Sequence, residues 1–374
     1  MKFEVGTKPL ADALNRLVPF AKEPNVAARV EASDASVHIS VLSKQRGVFA
    51  KVSLPGVIVD SDGVAYVDFN RLTLTTKLAK ASISFKTTSN ALVVRSGSVT
   101  LNVNLSEQTP EPAIPDCALR YRVEGKEFAS KIKQLVSIAR TARQSPILEG
   151  VYLEEDGKQL QLVATNGNAL YLAKCNATVY QEGMKFSEED STIVPAFLMN
   201  AILSSIKTTE EVAIGRSETA FIVGQPGFIA FGTLQIGKYP PWRRVVDTDA
   251  QPQIECLFLN IKEKLEAARL FYQSSSFGAI RIESKGDDLI LNASNETSSF
   301  KDSFKATKNS DGFNAFCYFD ALFSQWFDMQ IDAPDEAIAK ITFIADNEKS
   351  KKIRFDVDDR TEVIMALSGT KYEK

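Results

Sequence analysis

The feature that most constrains this chain is a pattern that occurs three times along its 374 residues. Each occurrence is a short alternating stretch followed by a stretch with apolar residues at i, i+4 and i+7, which predicts a strand and then an amphipathic helix. A chain of this length is too long for one ordinary core, so three similar domains are expected. The three starts are MKFEVGTKPLADALNRLVPFA from Met1, YRVEGKEFASKIKQLVSIAR from Tyr121 and CLFLNIKEKLEAARLFYQS from Cys256.

The segments that follow each start are also alike, which extends the repeat. A strand pair with a polar turn comes next, then a second helix, then further strands. The strand pairs are ARVEASDASVHISV, GVYLEEDGKQLQLVAT and AIRIESKGDDLILNAS, and the second helices are DFNRLTLTTKLAK, PAFLMNAILSSIK and YFDALFSQWFDMQ. We therefore predict an α+β fold of three repeated domains, each with two helices packed on antiparallel sheets. The predicted boundaries are 1–120, 121–250 and 251–374, with linkers at 106–116 and 245–253.

In each predicted first helix the apolar stripe names the residues that should be buried. These core positions are Leu10, Leu14 and Leu17 in the first repeat, Phe128, Ile132 and Leu135 in the second, and Ile261, Leu265 and Ala268 in the third.

Composition places the chain among globular proteins, with 44% apolar and 24% charged residues and a net charge of −3. The sequence holds no apolar run long enough to span a bilayer, so no membrane partner is expected. Its four cysteines are far apart and include no C-x-x-C pair, which favours reduced thiols in a cytoplasmic protein over a metal site. They are Cys117, Cys175, Cys256 and Cys317.

Catalytic motifs are not recognisable in the sequence. The one histidine, His38, lies in an alternating stretch without a suitably spaced nucleophile or acid, so we interpret it as an ordinary strand residue. Neither a phosphate-binding G-x-x-x-x-G-K-[ST] nor a G-x-G-x-x-G is present. Acid pairs such as Asp358-Asp359 are interpreted as turn residues. We expect no enzyme activity, no cofactor and no metal.

The predicted helix at 126–148 has a basic face opposite its apolar stripe. No acid occurs between Glu127 and Glu149, whereas a solvated helix face usually mixes both signs. Serine and glutamine beside lysine and arginine suit contacts to phosphate, which position a protein without reading sequence. Acids concentrate instead in turns and outer strands, as in Glu154-Glu155-Asp156. The other helices are less basic. The residues that could face phosphates are Lys22, Arg71, Lys77, Lys133, Arg140, Arg143, Gln144, Lys207, Lys262 and Arg269, and they are the candidate DNA-facing residues if the resemblance described below holds.

The stretch LQLVATNGNALYLAK, residues 160–174, predicts a hairpin. Leu160, Leu162 and Ala164 fall on one face of the first strand, and Leu170 and Leu172 fall on one face of the return strand. Asn166-Gly167 is a usual pair for a two-residue turn, in which both positions take positive φ.

Three segments resemble the bacterial DNA polymerase III beta subunits, the replication sliding clamps. They are ILEGVYLEEDGKQLQLVATNGNALYLA (147–173), YPPWRRV (239–245) and VRSGSVTLNVN (94–104). The resemblance implies the DNA clamp fold and a head-to-tail homodimer, a ring of six domains with helices lining the hole. It also implies loading onto double-stranded DNA by a clamp loader, without sequence specificity, and tethering of the DNA polymerase through short peptides.

The resemblance further implies a peptide groove between the second and third domains. The matching positions are Leu148, Thr165, Gly167, Asn168, Ala169, Leu170, Pro240, Arg244, Val245, Phe277, Cys317, Val363, Met365, Ala366 and Leu367. Asn168 and Ala169 stand where the family has His and Arg, which should leave one wall less charged. The family's C-terminal M-P-M-R-L is replaced by Met365-Ala366-Leu367-Ser368-Gly369. A divergent bacterial clamp and a phage-encoded clamp both fit these departures.

A three-domain scaffold that binds proteins and not DNA is the alternative interpretation. The clamp and the scaffold interpretations predict different effects of acidic substitutions on the basic face of 126–148. Such substitutions should abolish retention of a clamp on DNA and should have little effect on the function of a scaffold.

Overall fold

The computed structural model describes residues 1–78, 81–115, 119–142, 145–167, 169–246, 251–272, 280–294, 298–309, 314–317, 336–347, 350–357 and 362–368. The chain divides into two compact units. One contains Met1–Ile132 and Asn176–Gln235, and the other contains Lys133–Cys175 and Ile236–Lys374. The three-domain boundaries inferred from the repeat stay a prediction.

The strand-then-helix pattern is present at all three predicted places. Strand β1 (Lys2–Gly6) leads into α1 (Thr7–Leu17), β10 (Tyr121–Val123) into α3 (Gly125–Ala139), and β18 (Ile254–Leu257) into α6 (Phe258–Tyr272). Every predicted core position of these helices is at most 1% exposed. The i, i+4, i+7 spacing therefore identified the buried stripe in each helix.

Each helix is followed by a hairpin whose turn has positive φ. Asp34 and Ala35 have φ of 48° and 57° between β2 (Ala27–Ser33) and β3 (Ser36–Ser43). Gly157 has φ of 60° between β11 (Gly150–Asp156) and β12 (Gln159–Thr165). Gly286 has φ of 58° between β19 (Ile280–Lys285) and β20 (Asp288–Ser294). These turns match the twist of antiparallel strands, so the predicted strand pairs form as hairpins.

The first unit contains two antiparallel sheets. One has the order β5-β1-β7-β8-β9. The other runs β6-β2-β3-β4 and continues through β17, β16 and β15 to β10, because Val48–Val52 of β4 pairs with Phe228–Gly232 of β17. The remaining strands are β4 (Val48–Pro55), β5 (Ile58–Ser61), β6 (Gly63–Asp68), β7 (Ser82–Thr87), β8 (Ala91–Ser96), β9 (Val99–Asn104), β14 (Thr192–Pro195), β15 (Val212–Arg216), β16 (Ala220–Gln225) and β17 (Phe228–Thr233).

The second unit is built on strands that pair over long sequence distances. Strand β13 (Ala169–Val179) pairs with β26 (Glu362–Ser368), which pairs in turn with β25 (Ser350–Val357) and through it with β24 (Ile338–Asn347). Strand β24 also pairs with β18. The other strands of this unit are β21 (Ser299–Lys305), β22 (Lys308–Asn309) and β23 (Asn314–Cys317).

Two of the predicted second helices are present, as α2 (Phe69–Leu78) and α4 (Ala196–Leu203). Pro195, the first residue of the predicted helix PAFLMNAILSSIK, is the N-cap of α4, with ψ of 136°. The extended ψ ends β14 at Pro195 and lets the helix begin one residue later. The third predicted second helix, at 318–330, lies outside the described residues. A short helix, α5 (Arg243–Val246), lies in the segment that resembled the clamp family.

Candidate functional site

The candidate peptide groove is built on three adjacent strands of the second unit. In the register, Leu170 of β13 lies opposite Met365 of β26, and Met365 lies opposite Arg354 of β25. Leu172, Val363 and Asp356 form the next such row. Residues directly opposite each other, and residues two apart on a strand, share one face of a sheet. These two rows therefore define one face, which we call the groove face.

The register places two predicted groove residues on the other face. Ala169 lies opposite Ala366, which lies opposite Ile353. Ile353 is 0% exposed and the next residue on that face, Phe355, is 1% exposed, so this face belongs to the core. Alternation along β13 turns Ala169 away from Leu170, and the assignment of Ala169 and Ala366 to the groove stays a prediction.

The hairpin turn differs from the predicted one by a single residue. The Asn166 amide donates to the Ala169 carbonyl, so Asn166 pairs across the hairpin and is not a central residue of its turn. Gly167 has φ of 91°, whereas Asn166 does not have positive φ. The Asn166 side chain instead accepts a hydrogen bond from the Ala169 amide at 2.9 Å and donates to Thr141 Oγ1 at 2.9 Å. An asparagine at the start of a turn commonly bonds the backbone in this way.

Accessibility divides the remaining groove candidates. Leu170 is only 5% exposed and Leu172 only 4%, so both are held among other side chains. Leu148, Thr165 and Val245 are half-buried, while Gly167, Pro240 and Arg244 are exposed. A partner would therefore meet this second set first. Asn168 and Phe277 lie outside the described residues, and Cys317 ends β23 in a register pair with Ser368.

The segment 239–246 combines buried aromatic rings with an exposed arginine. Tyr239 and Trp242 are 5% and 6% exposed, and the Tyr239 ring stacks on Tyr152 of β11 with centroids 5.1 Å apart. Burial raises the pKa of the Tyr239 hydroxyl. Trp242 thus packs as an anchor. Arg244 is exposed and, within the described residues, makes no side-chain hydrogen bond or ion pair.

The basic helix is shorter than predicted. Helix α3 ends at Ala139, and the Arg140 amide still donates to the Val136 carbonyl at 3.1 Å. Beyond it, Arg140 and Thr141 form a turn, and Pro146–Glu149 form a short 3-10 helix with Pro146 in its first turn. Lys133 and Arg140 are exposed and Ser137 is half-buried, so the basic face is present at these positions. Arg143 and Gln144 lie outside the described residues.

The other candidate DNA-facing residues differ in exposure and in whether they form ion pairs. Lys22, Arg71 and Lys77 are exposed. Lys207 forms an ion pair with Glu210 at 2.9 Å, and Lys262 approaches Glu266 at 3.9 Å, so these two charges are partly neutralised. Arg269 lies in α6. The exposed cations best suited to phosphate contact are therefore Lys22, Arg71, Lys77, Lys133 and Arg140.

The histidine and two of the cysteines have ordinary structural surroundings. His38 lies in β3, where its ring nitrogens are 3.2 and 2.8 Å from the Ser36 and Ser53 hydroxyls. Cys175 and Cys256 are buried thiols, and burial raises the pKa of Cys256 to about 12. In the part of the chain that is described, no three His, Cys, Asp or Glu side chains are grouped to hold a metal ion. None of the described helices has the length and apolar character needed to cross a membrane.

The sequence analysis placed Glu154 wrongly. Glu154 was assigned to an acidic outer strand, but its side chain is only 8% exposed and binds Arg243. The signal available in the sequence was its position two residues after Tyr152, which puts it on the same face of β11 as a large aromatic ring.

Comparison with known proteins decides the fold. No family model matches the chain. Over its full length the chain superimposes on the whole DNA polymerase sliding clamp of Bacillus subtilis, with a TM-score of 0.85 and 16% identity. The chain has the fold of the bacterial sliding clamps. Its superposition on a Helicobacter pylori beta clamp bound to a DNA ligase peptide includes 99% of this chain and 100% of that chain, with a TM-score of 0.79 and 14% identity.

A relative in sequence points to the same proteins. The beta sliding clamp of Streptococcus pneumoniae serotype 4 (strain ATCC BAA-334 / TIGR4) is 25% identical over 202 residues. This alignment covers 52% of the chain and spans about half, 51%, of the pneumococcal protein. The predicted clamp fold and the predicted resemblance to DNA polymerase III beta subunits are confirmed.

Proposed function

We propose that this chain is a processivity factor of DNA replication. Two copies close head to tail into a ring that encircles duplex DNA, slides along it and tethers a polymerase through the groove. The observation that carries the proposal is the full-length agreement with the clamp fold, together with the presence of both groove segments, 147–173 and 239–245, in one compact unit.

The small number of exposed cations supports a ring that slides on DNA over one that binds DNA tightly. The net charge is −3, and the exposed cations suited to phosphate are few, with Lys133 and Arg140 on and just beyond α3. Few phosphate contacts give weak binding, which permits movement along the duplex. Retention should then depend on the topology of the DNA as well as on these few contacts.

The test loads the protein onto nicked circular DNA with a clamp loader of the source genome and follows its retention by gel filtration. Retention should persist in moderate salt and be lost when a restriction enzyme linearises the circle. The double variant Lys133→Glu/Arg140→Glu should lose retention, while Lys158→Glu/Lys185→Glu, which alters two exposed lysines elsewhere, should keep it. Undiminished retention by the first double variant would show that Lys133 and Arg140 do not face the DNA. Failure of the wild-type protein to be retained on circular DNA would favour the scaffold alternative, and equal retention on linear DNA would contradict a topological clamp.

The tethering part of the proposal, peptide binding in the groove, has its own test. Apolar anchors of a short peptide should supply most of the affinity, since burying one Leu or Phe side chain stabilises by roughly 1.5–3 kcal/mol. Arg244 is left as the main charged contact. Leu170→Asp is a poor probe because a charge at a site that is 5% exposed would destabilise the fold itself. Val245→Asp changes a half-buried position and should abolish peptide binding without unfolding. Unchanged affinity in a folded Val245→Asp protein would show that the groove is elsewhere.

A further inference from the structure

The segment 239–246 is fixed to the rest of the second unit by two groups of charged residues, one that binds Arg243 and one that binds Val246. The first group centres on Glu154 of β11. Its carboxylate accepts hydrogen bonds from Arg243 Nη1 at 3.0 Å and Nη2 at 2.7 Å, and from the Tyr152 hydroxyl at 3.0 Å. The two parallel bonds to the guanidinium fix its direction as well as its distance. Because the Tyr152 ring also stacks on Tyr239, β11 holds the segment at two points.

The second group centres on Arg354 of β25. Its Nη1 donates to the carbonyl of Val246, the last residue of α5, at 3.0 Å. Its Nε and Nη2 donate to Asp356 at 2.8 Å each, so the carboxylate orients the guanidinium. The side chains of Arg354 and Asp356 are 24% and 15% exposed. A cation at the last carbonyl of a helical turn satisfies an acceptor that has no partner within the helix.

The strand register shows why this second group concerns the groove. Arg354 lies in the same row as Leu170 and Met365, and Asp356 in the same row as Leu172 and Val363. Both charged residues therefore stand on the groove face. The residues that a partner would meet, Arg244 and Val245, lie between the two attachment points at Arg243 and Val246.

We propose that Glu154, Arg354 and Asp356 are positioning residues of the peptide groove. They act through Arg243 and the Val246 carbonyl to hold Arg244 and Val245 in the geometry that binds the peptide. This inference rests on the proposed function, since it concerns the same groove. A segment held in its binding geometry before the peptide arrives loses less conformational entropy on binding.

Rate constants of peptide binding distinguish a residue that positions the segment from a residue that contacts the peptide. When an anchor is lost, only a fraction of molecules hold the segment in the competent geometry, and the apparent affinity falls by that fraction. The association rate constant should fall while the dissociation rate constant stays nearly unchanged. Loss of a direct apolar contact, as in Val245→Ala, should instead raise the dissociation rate constant.

The experiment measures both rate constants by stopped-flow anisotropy. The probe is a fluorescein-labelled synthetic peptide from the clamp-binding end of the replicative polymerase in the source genome. For Glu154→Gln and Arg354→Gln we expect association to slow about fivefold and dissociation to change less than about twofold. Arg243→Gln should behave like Glu154→Gln, and the double variant should lose no more than either single variant, because the pair acts as a unit.

The matched control is Asp302→Asn, which breaks the 2.6 Å ion pair between Lys264 of α6 and Asp302 of β21. These side chains are 30% and 36% exposed, and β21 pairs only with β20 among the described strands. The control should bind with wild-type rate constants. If Arg354→Gln fails to fold, Arg243→Gln still carries the test, since the Arg243 side chain is 36% exposed.

Two failures are distinguishable. If the wild-type protein binds no such peptide, or Val245→Asp binds as wild type does, the groove and the proposed function are wrong. If the wild type binds and Val245→Asp does not, wild-type association by folded Glu154→Gln and Arg243→Gln would overturn the positioning role alone. Faster dissociation in these variants would show direct contact and would also overturn it.

Discussion

Arg16, in the last turn of α1, connects the first repeat to the second within the first unit. It donates to the Ser205 carbonyl at 2.8 Å and to Gln225 Oε1 at 2.7 Å, and it lies over the Phe228 ring at 4.2 Å. Gln225 in turn accepts from the Lys207 amide and donates to the Lys207 carbonyl, which ties the helix to the chain beyond α4. This connection cannot be read from local periodicity, because its partners lie far apart in sequence.

We expect Arg16→Ala to lower the free energy of unfolding by about 2 kcal/mol, since hydrogen bonds of a charged group and a ring contact are lost together. The measurement is urea denaturation followed by circular dichroism. Asn15→Ala, at the exposed neighbouring position, should change this free energy by no more than about 0.5 kcal/mol. Equal effects of the two variants would contradict the connection.

Glu31 should make stability depend on pH. Arg29 Nη1 lies 2.7 Å from Glu31 Oε2, and this hydrogen bond lowers the pKa of Glu31 from its ordinary value of 4.5 against the opposing effect of burial. Lys51 and His38 act in the same direction. A lowered carboxyl pKa in the folded state contributes stability at neutral pH that is lost as the pH falls through the folded pKa.

Glu31→Gln should therefore reduce the free energy of unfolding by about 1 kcal/mol at pH 7, with the difference from wild type shrinking below pH 4.5. Thermal unfolding at a series of pH values measures it. Asp60→Asn removes an ion pair with Lys2 whose side chains are about half exposed, and it should show no measurable difference at any of these pH values. A Glu31→Gln effect that persists undiminished at pH 3 would refute the assignment.

At the scale of elements, the start of α3 depends on a glycine. Gly125 is the first helical residue, and a Cβ there would lie 2.2 Å from the Glu210 carbonyl oxygen and 3.0 Å from that of Lys207. Helix propensity alone favours Ala over Gly by about 1 kcal/mol, so the sequence suggests that Gly125→Ala stabilises the helix. The close backbone approach reverses the sign.

We expect Gly125→Ala to destabilise the protein by about 3 kcal/mol, because backbone atoms cannot yield as a flexible side chain can. Gly97→Ala is the comparison. Its φ of 56° strains an alanine, but nothing lies within 4 Å, so it should cost only about 1 kcal/mol. Urea denaturation of both variants measures the difference, and a Gly125→Ala protein at least as stable as wild type would contradict the packing.

Features of the helices and strands that depend on short segments could be predicted from the sequence, whereas those that depend on long-range pairing could not. The helix stripes and three hairpins followed from spacing within short segments, and all were recovered. The turn at Gly167 was misplaced because an asparagine side chain competed for the backbone, and α3 was drawn too long because its apolar spacing continued past its end. The division of β13 and β26 into a core face and a groove face could not be predicted. It depends on a pairing between Ala169–Ala173 and Glu362–Ala366, which no local pattern specifies.

At the scale of the whole molecule, the proposed ring requires a self-association surface on the first repeat. Strand β9 is an edge of the sheet β5-β1-β7-β8-β9, and α2 packs against it. Beside this edge Leu74 of α2 is 50% exposed and Val99 of β9 is 41% exposed. An edge strand flanked by exposed apolar side chains is a template for pairing with another chain. We propose this edge as the contribution of the first repeat to the dimer.

Leu74→Asp should therefore convert the protein from about twice its chain mass of 41.1 kDa to a monomer, measured by light scattering at micromolar concentration. The sheet supplies its own control, since Ile58 of β5 lies on the opposite edge and is 67% exposed. Ile58→Asp introduces the same charge on the same sheet and should leave the dimer intact. Retention on circular DNA should be lost in Leu74→Asp and kept in Ile58→Asp, because only a closed ring is topologically linked to its template. A dimeric Leu74→Asp protein, or a monomeric Ile58→Asp protein, would place the interface elsewhere.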